Sequence, residues 1–411
     1  IIEEDEDALG ALALAHSNRL PIFGCAPMAR GKDLNGYLCS GVRLDHESYT
    51  HEEVVEKMRN GMHMLMREST ITRFMEENIR AVTEVNPALA RRVSFCTDDV
   101  TATGIMEEGH LDRVVRMAIR AGVSPVTAIQ MATINSAEAY RLDDKIGSIT
   151  PGKFADILFV EDLTKFIVRS VMVEGKVVAH DYKLNYKLTP PVRTGVLVGK
   201  LKCALTTEAD FAYKVDLANG TAEVLSMDVK APFVRKRRDV VLKVRDHIVM
   251  PDTEQDVALV SVIERFGKNG NKSLAFCSGW KLKSGAMASS AAPDDNNLVV
   301  MGTSAEDMSV AANYLIEQGG GQVIVDHGQV IDFFPLPVGG IVSDLEPEEV
   351  MQREIKLKDA SRNLGCTLPE PLMYMFFLPI TAIPDYAITD VGPTDCVGLK
   401  IFDPILALHA E

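Results

Sequence analysis

The stretch Arg92-Val93-Ser94-Phe95-Cys96-Thr97-Asp98-Asp99 reads as a short strand that stops on an acidic loop, and it sets the fold class. A helical pattern follows it, with Leu111, Val114, Val115, Ala118 and Ile119 on one face and Gly122 to close it. Ser124-Pro125 then opens another helix through Met131, a serine N-cap followed by proline in the first turn. The same rhythm runs upstream. Asp7 to Ser17 has helical spacing, and Leu20 to Gly24 is a short apolar run ending in glycine. Thr50-His51-Glu52-Glu53 has the form of a capping box, with Thr50 as N-cap and Glu53 at N3. The helix it starts is expected to carry Val54, Val55, Met58, Met62 and Leu65 on one broad face, the methionines serving as core filler. Strand and helix in alternation argue for a parallel sheet, and closure into a barrel is one way to satisfy it.

From Gly147 the pattern changes. Pro151-Gly152 marks a turn, Ala155 to Val160 a strand, and Val168 to His180 a hairpin turned at Glu174-Gly175. Pro190 to Lys200 reads as a linker. Beyond it come strands at Val240–Val244, Ala258–Ile263 and Gln322–Val325, and a helix from Ser304 to Gln318 ended by three glycines. These breaks divide the chain into residues 1–146, 147–190 and 191–411. The basic run Arg235-Lys236-Arg237-Arg238 is expected on a solvated strand edge or turn.

Composition narrows the function classes. A chain of 411 residues with 46% hydrophobic and 25% charged residues is a folded protein of two or three domains. The net charge of -15 argues against a nucleic-acid partner, since phosphate binding needs clustered Lys and Arg. No apolar run is long enough to span a bilayer. Cys25, Cys39, Cys96, Cys203, Cys277, Cys366 and Cys396 are odd in number and scattered, which suits a reducing, cytoplasmic compartment. The acidic start, Ile1-Ile2-Glu3-Glu4-Asp5, reads as that of a fragment, a processed chain or a truncated product.

Three segments place ionisable groups at the ends of expected strands: Gly24-Cys25-Ala26-Pro27, Asp45-His46-Glu47 and Cys96-Thr97-Asp98-Asp99. Loops leaving the carboxyl ends of strands build the active sites of α/β barrels, and imidazole with carboxylate suits a divalent metal. Taken alone, such short segments more often serve as helix caps with a satisfied histidine. Gly31-Lys32-Asp33-Leu34-Asn35-Gly36-Tyr37 followed by Gly41-Val42-Arg43-Leu44-Asp45-His46-Glu47 resembles the adenine deaminase pattern of the amidohydrolase superfamily. So do Phe95-Cys96-Thr97-Asp98-Asp99, Pro151-Gly152-Lys153-Phe154-Ala155-Asp156 and, further on, Gly279-Trp280, Gly302-Thr303 and Gly319-Gly320-Gly321.

The resemblance implies an α/β fold class: a partial TIM-type (β/α) barrel over residues 1–146, a small β unit, and a mixed α+β C-terminal domain. It implies metal-assisted hydrolysis of adenine to hypoxanthine and ammonia, with Mn or Fe as a binuclear centre. His46 and Asp98 would then be metal ligands, Asp98 and Glu47 the catalytic carboxylates, and Asp99, Asp294 and Asn297 groups near the substrate or behind the ligands. Four positions depart from the pattern. No H-x-H pair occurs in the chain, and the bridging Glu expected before Leu20 has no counterpart. Cys25 stands at a family histidine, where a thiolate would favour Zn over Mn. Pro293-Asp294-Asp295-Asn296-Asn297 replaces H-D-S-H-N. A second reading is therefore a non-catalytic or truncated relative acting as a binding module, and a third is a one-metal amidohydrolase with a different substrate. The segment before Gly147 has room for about half of the roughly eight strands of a barrel. Its open edges lead us to expect a chain that is partly unfolded, rearranged or, as the leading expectation, homo-oligomeric.

Overall fold

In the computed structural model, which describes residues 5–187, 201–293 and 295–410, four short strands lie parallel in chain order. They are β1 (Phe23–Gly24), β2 (Leu44–Asp45), β3 (His63–Arg67) and β4 (Val93–Cys96). Gly24 pairs with Asp45, Asp45 with Met64, and Arg67 with Cys96. All four strands therefore point their carboxyl ends the same way. The crossovers are helical, as parallel pairing requires. The sheet is open, with β1 and β4 at its edges, so the expected parallel core is present as four strands and not as a closed barrel.

The crossover between β2 and β3 shows how local sequence sets the path. The helix His51–Arg59 starts on Thr50, whose Oγ1 accepts from the Glu53 N–H at 3.3 Å. The reciprocal half of the expected capping box is not made. The Glu53 carboxylate accepts instead from the backbone N–H groups of Met28 and Tyr49 and from Lys57 Nζ. The helix also ends earlier than the periodicity suggested. Gly61, at φ 90°, turns the chain, and Leu65 belongs to β3. Every residue of β3 is buried, and a strand covered on both faces reads as a continuous apolar run that periodicity cannot tell from a helix. The methionines do fill the core. Met58, Met62, Met64, Met66, Met75 and Met131 pack with Val54, Val93, Phe95 and Val114.

His63 opens β3 inside this core, its Nε2 2.8 Å from Ser94 Oγ. Burial, reinforced by the charges of Arg92 and Arg91, pushes its pKa down to about 4. The unfolded chain binds this proton more readily, near pH 6.5, so stability from His63 is present above that pH and falls as pH drops toward 4. Replacing His63 by Gln is expected to flatten the acid limb of stability between pH 6.5 and 4, measured by urea unfolding at several pH values. An unchanged limb would refute it.

The helix Leu111–Arg120, closed near Gly122, and the helix Pro125–Ala132, with Ser124 as N-cap, lie as the sequence predicts. A four-stranded antiparallel meander follows: Ile157–Asp162, Ile167–Val173, Lys176–His180 and Lys183–Leu184. Its tight turn places Glu174 and Gly175 at φ 47° and 78°, the mirror-image turn that matches strand twist. The meander joins the core above through Phe166. The stretch read as a linker lies outside the described residues.

Contacts group the chain into two units, Ile1–Pro190 and Pro191–Glu411. The second is built on a ten-stranded, largely antiparallel sheet centred on Gly220–Ala231, Lys272–Ser278 and Val257–Ile263. The helix Ala305–Gln318 covers it, capped by Ser304 and ended at Gly319 with φ 80°. Trp280 is fully buried and donates its indole N–H to Cys277 Sγ at 3.1 Å. The basic run corrects one expectation. Arg235 is not at a solvated edge; it is 1% exposed in the strand Val234–Arg245 and donates to the carbonyls of Phe377, Leu378, Ile380 and Ile383. A guanidinium, with five donors, can satisfy a whole turn of carbonyls, and charge runs read from sequence do not show that. Lys236 and Arg237 are the solvated members in the sense expected, and Arg238 is half-buried. No helix among the described residues is long and apolar enough to cross a membrane.

Candidate active site at the strand ends

The carboxyl edge of the parallel sheet collects polar groups from all four strands. Cys25 follows β1, His46 and Glu47 follow β2, Arg67 ends β3, and Asp98 follows β4. His46 Nε2 lies 3.5 Å from Glu47 Oε1, 3.9 Å from Asp98 Oδ2 and 3.9 Å from Cys25 Sγ. Arg67 holds the centre. Its Nη1 donates to Glu47 Oε1 at 2.8 Å and to Asp98 Oδ2 at 2.5 Å, and its Nη2 donates to Glu47 Oε2 at 3.0 Å. The pairing with Glu47 is the two-pronged geometry that a planar guanidinium favours.

Charge and burial differ sharply among these groups. Burial raises the Glu47 pKa, against the lowering effect of Arg67 and His46. Burial works against the Arg67 charge too, but Glu47 and Asp98 outweigh it and its pKa is raised. Asp99 is pushed up to about 6, by burial first and then by the negative charge of Asp98. Cys25 is pushed up to about 11 by desolvation, joined by Glu47 and Asp45, so its sulfur stays a thiol at neutral pH. Asp98 sits at φ 61°, the left-handed region, which turns the chain just where its carboxylate must face Arg67.

A buried network fixes the frame behind these groups. Asp45 and Lys57 are both 0% exposed. Asp45 Oδ1 accepts from the Ala26 N–H at 2.9 Å, and Oδ2 accepts from Lys57 Nζ at 2.8 Å. Lys57 Nζ also donates to Glu53 Oε1 at 2.7 Å, Ser48 Oγ at 2.9 Å and the Glu47 carbonyl at 3.2 Å. One carboxylate thus ties the loop after β1 to the loop after β2. Gly24 lets that first loop close up: a Cβ there would stand 1.6 Å from Tyr37 Oη.

Of the residues read from sequence, the structure brings together Cys25, His46, Glu47 and Asp98, with Asp99 beside them. Asn297 lies in the second unit, 5% exposed, its N–H and Nδ2 donating to the Asp295 carboxylate. Asp294 lies outside the described residues. Sequence reasoning missed Arg67 and Lys57. A cation closing the run His63-Met64-Leu65-Met66 was the available signal for Arg67, and the Glu53–Lys57 spacing of four was the signal for Lys57.

Residues 4–178 match the amidohydrolase family model, and residues 232–399 match the adenine deaminase C-terminal domain. Adenine deaminase 1 of Desulfotalea psychrophila is 72% identical over 407 residues, which are 99% of this chain and 68% of that protein. This chain belongs to the adenine deaminase family. Adenine deaminase 1 of Latilactobacillus sakei is 54% identical and adenine deaminase 4 of Rhizobium meliloti 53% identical, each over 98% of this chain and 68% of the relative. Nothing in these comparisons favours the non-catalytic reading.

Adenine deaminases of the amidohydrolase type are metal-dependent, so the donor set can be tested against a cation. The ligand atoms of Cys25, His46 and Glu47 lie within 4.8 Å of one another. A cation needs three or four protein ligands in their deprotonated forms. His46 qualifies by type and position, and Asp98 by type, its Oδ2 lying 3.9 Å from His46 Nε2 and paired with Arg67. Cys25 is held as a thiol, and the Glu47 carboxylate is taken by Arg67 at both oxygens. The described residues fit two ligands of such a site and do not complete it.

Proposed function

We propose that this chain serves adenine deaminase chemistry, the hydrolysis of adenine to hypoxanthine and ammonia. The observation that carries the reading is the gathering of His46, Glu47, Arg67 and Asp98 at the carboxyl edge of one parallel sheet in a chain 72% identical to a curated adenine deaminase.

In this reading water adds to C6 of the purine, and the amino group departs as ammonia. Asp98 is the proton carrier, taking a proton from the attacking water and returning it to the leaving nitrogen. Arg67 fixes the carboxylate for that exchange and holds Glu47 beside it with two hydrogen bonds. Glu47 orients His46, and Asp99, protonated at mildly acidic pH, supplies a second donor near the same loop. Among the described residues His46 and Asp98 would be the two ligands offered to manganese or iron, whose chemistry in this reaction would be to lower the pKa of water. We place the protein in the cytoplasm, where seven free thiols would persist, and expect copies to associate across the open sheet edges.

The test is conversion of adenine to hypoxanthine by the purified chain after reconstitution with Mn or Fe, followed by the change in purine absorbance. Turnover that depends on added metal is expected. A metal-loaded, folded chain with no turnover would overturn the reading.

A further inference from the structure

At the opposite end of the parallel sheet, where Leu44 and His63 begin β2 and β3 and Arg92 precedes β4, a cleft of about 460 Å³ opens. Four arginines line it, Arg43, Arg91, Arg92 and Arg141, against one carboxylate, Glu138. Only Arg91 is neutralised, by its ion pair with Glu138. The Arg43 guanidinium donates to the carbonyls of Leu38 and Val42, and that of Arg141 to the carbonyl of Arg19. Among the described residues, Arg43, Arg92 and Arg141 have no carboxylate within ion-pair distance. The wall is thus cationic in a chain whose net charge is -15.

A second arginine-lined cleft in the same unit shows that this is not the general habit of the fold. There three of the four lining arginines, Arg73, Arg113 and Arg116, are paired, with Glu108, with Glu68 and Glu108, and with Asp112, and Arg120 shares the cleft with the three carboxylates Glu68, Glu76 and Glu108. The field of the first cleft is felt by its neighbours. His63, at its floor, is held neutral by burial and then by the charges of Arg92 and Arg91.

We propose that this cleft is a binding site for a phosphate group, separate from the catalytic edge of the sheet. Guanidinium groups match the oxygens of phosphate in geometry and charge. The volume falls in the range of small-molecule pockets, about 300–1,000 Å³, and so admits a phosphorylated small molecule as well as the bare anion. The arginines come from the β1–β2 crossover, the segment before β4 and the end of the helix Ile134–Ala139. A bound phosphate would therefore tie the end of that helix to the starts of β2 and β4.

Calorimetric titration of the full chain at fixed ionic strength tests this, with inorganic phosphate in one arm and glucose 6-phosphate in the other. Saturable binding is expected, weakened at least tenfold by the Arg92→Gln, Arg141→Gln double substitution and unchanged by Arg120→Gln in the compensated cleft. Both arms share the proposed chemistry, and the tighter one tells whether free phosphate or a phosphate ester fills the site. No saturable binding in either arm, or equal weakening by Arg120→Gln, would overturn the proposal. Thermal unfolding of each variant confirms that lost binding is not lost folding.

Discussion

Replacing Lys57 by methionine is expected to destabilise the first unit by about 3–5 kcal/mol, the usual cost of removing one partner from a buried ion pair. Methionine preserves much of the volume, so the effect isolates the charge. It strands the Asp45 and Glu53 carboxylates, which are 0% and 3% exposed and have no water to turn to. Asp45→Asn alone should also destabilise, but adding it to Lys57→Met should cost less than the sum, because the orphaned charge is then gone. The measurement must report on the right unit. Trp280, the single tryptophan, lies in the second unit. Hydrogen exchange at the amides of β1 to β4 reads the first unit directly. Protection unchanged in Lys57→Met would sink the account of Lys57 as the anchor of both loops.

Asp98→Asn is expected to lower turnover of adenine by about 10²–10⁴-fold, the range for loss of a proton-transfer group. The amide has nearly the same shape, yet it can neither take a proton from water nor hold the charge-assisted bond to Arg67. Asp99→Asn should cost far less, on the order of tenfold, since its carboxyl stands behind Asp98 and is already biased toward the neutral form. Steady-state kinetics on both variants, with metal content measured alongside, separates the roles. Equal losses in the two, or full activity in Asp98→Asn, would remove Asp98 from the centre of the chemistry.

Much of the first unit was legible because its signals are local. The caps Thr50 and Ser124, the closing Gly122 and the Glu174-Gly175 turn each act within a few residues, and each is found where the sequence put it. The loops carrying His46 and Asp98 were legible by their motifs. Three features were not. The end of the helix at Arg59 was lost because Met64 to Met66 is apolar on both faces of a strand buried on both sides. Glu53 was misread as a capping partner because its other partners, Met28 and Lys57, come from tertiary packing and leave no mark on the spacing. Arg235 was read as solvated because nothing in its neighbours announces the carbonyls of residues 377–383, more than a hundred positions away. Arg67 belongs with these: its importance lies in Glu47 and Asp98, which meet it only across the sheet.

The methionine-filled interior of the first unit also bears on how the protein ages. Thioethers are oxidised readily when peroxide reaches them, and the sulfoxide is polar and larger. Met62, Met64, Met66 and Met75 are at most 1% exposed, so oxidant reaches them only when the unit opens. One such event would place a polar group where β3 packs, and the opened form could not close again as before. Damage would then be cumulative and self-reinforcing, and the slow step would be the opening itself and not the encounter with oxidant.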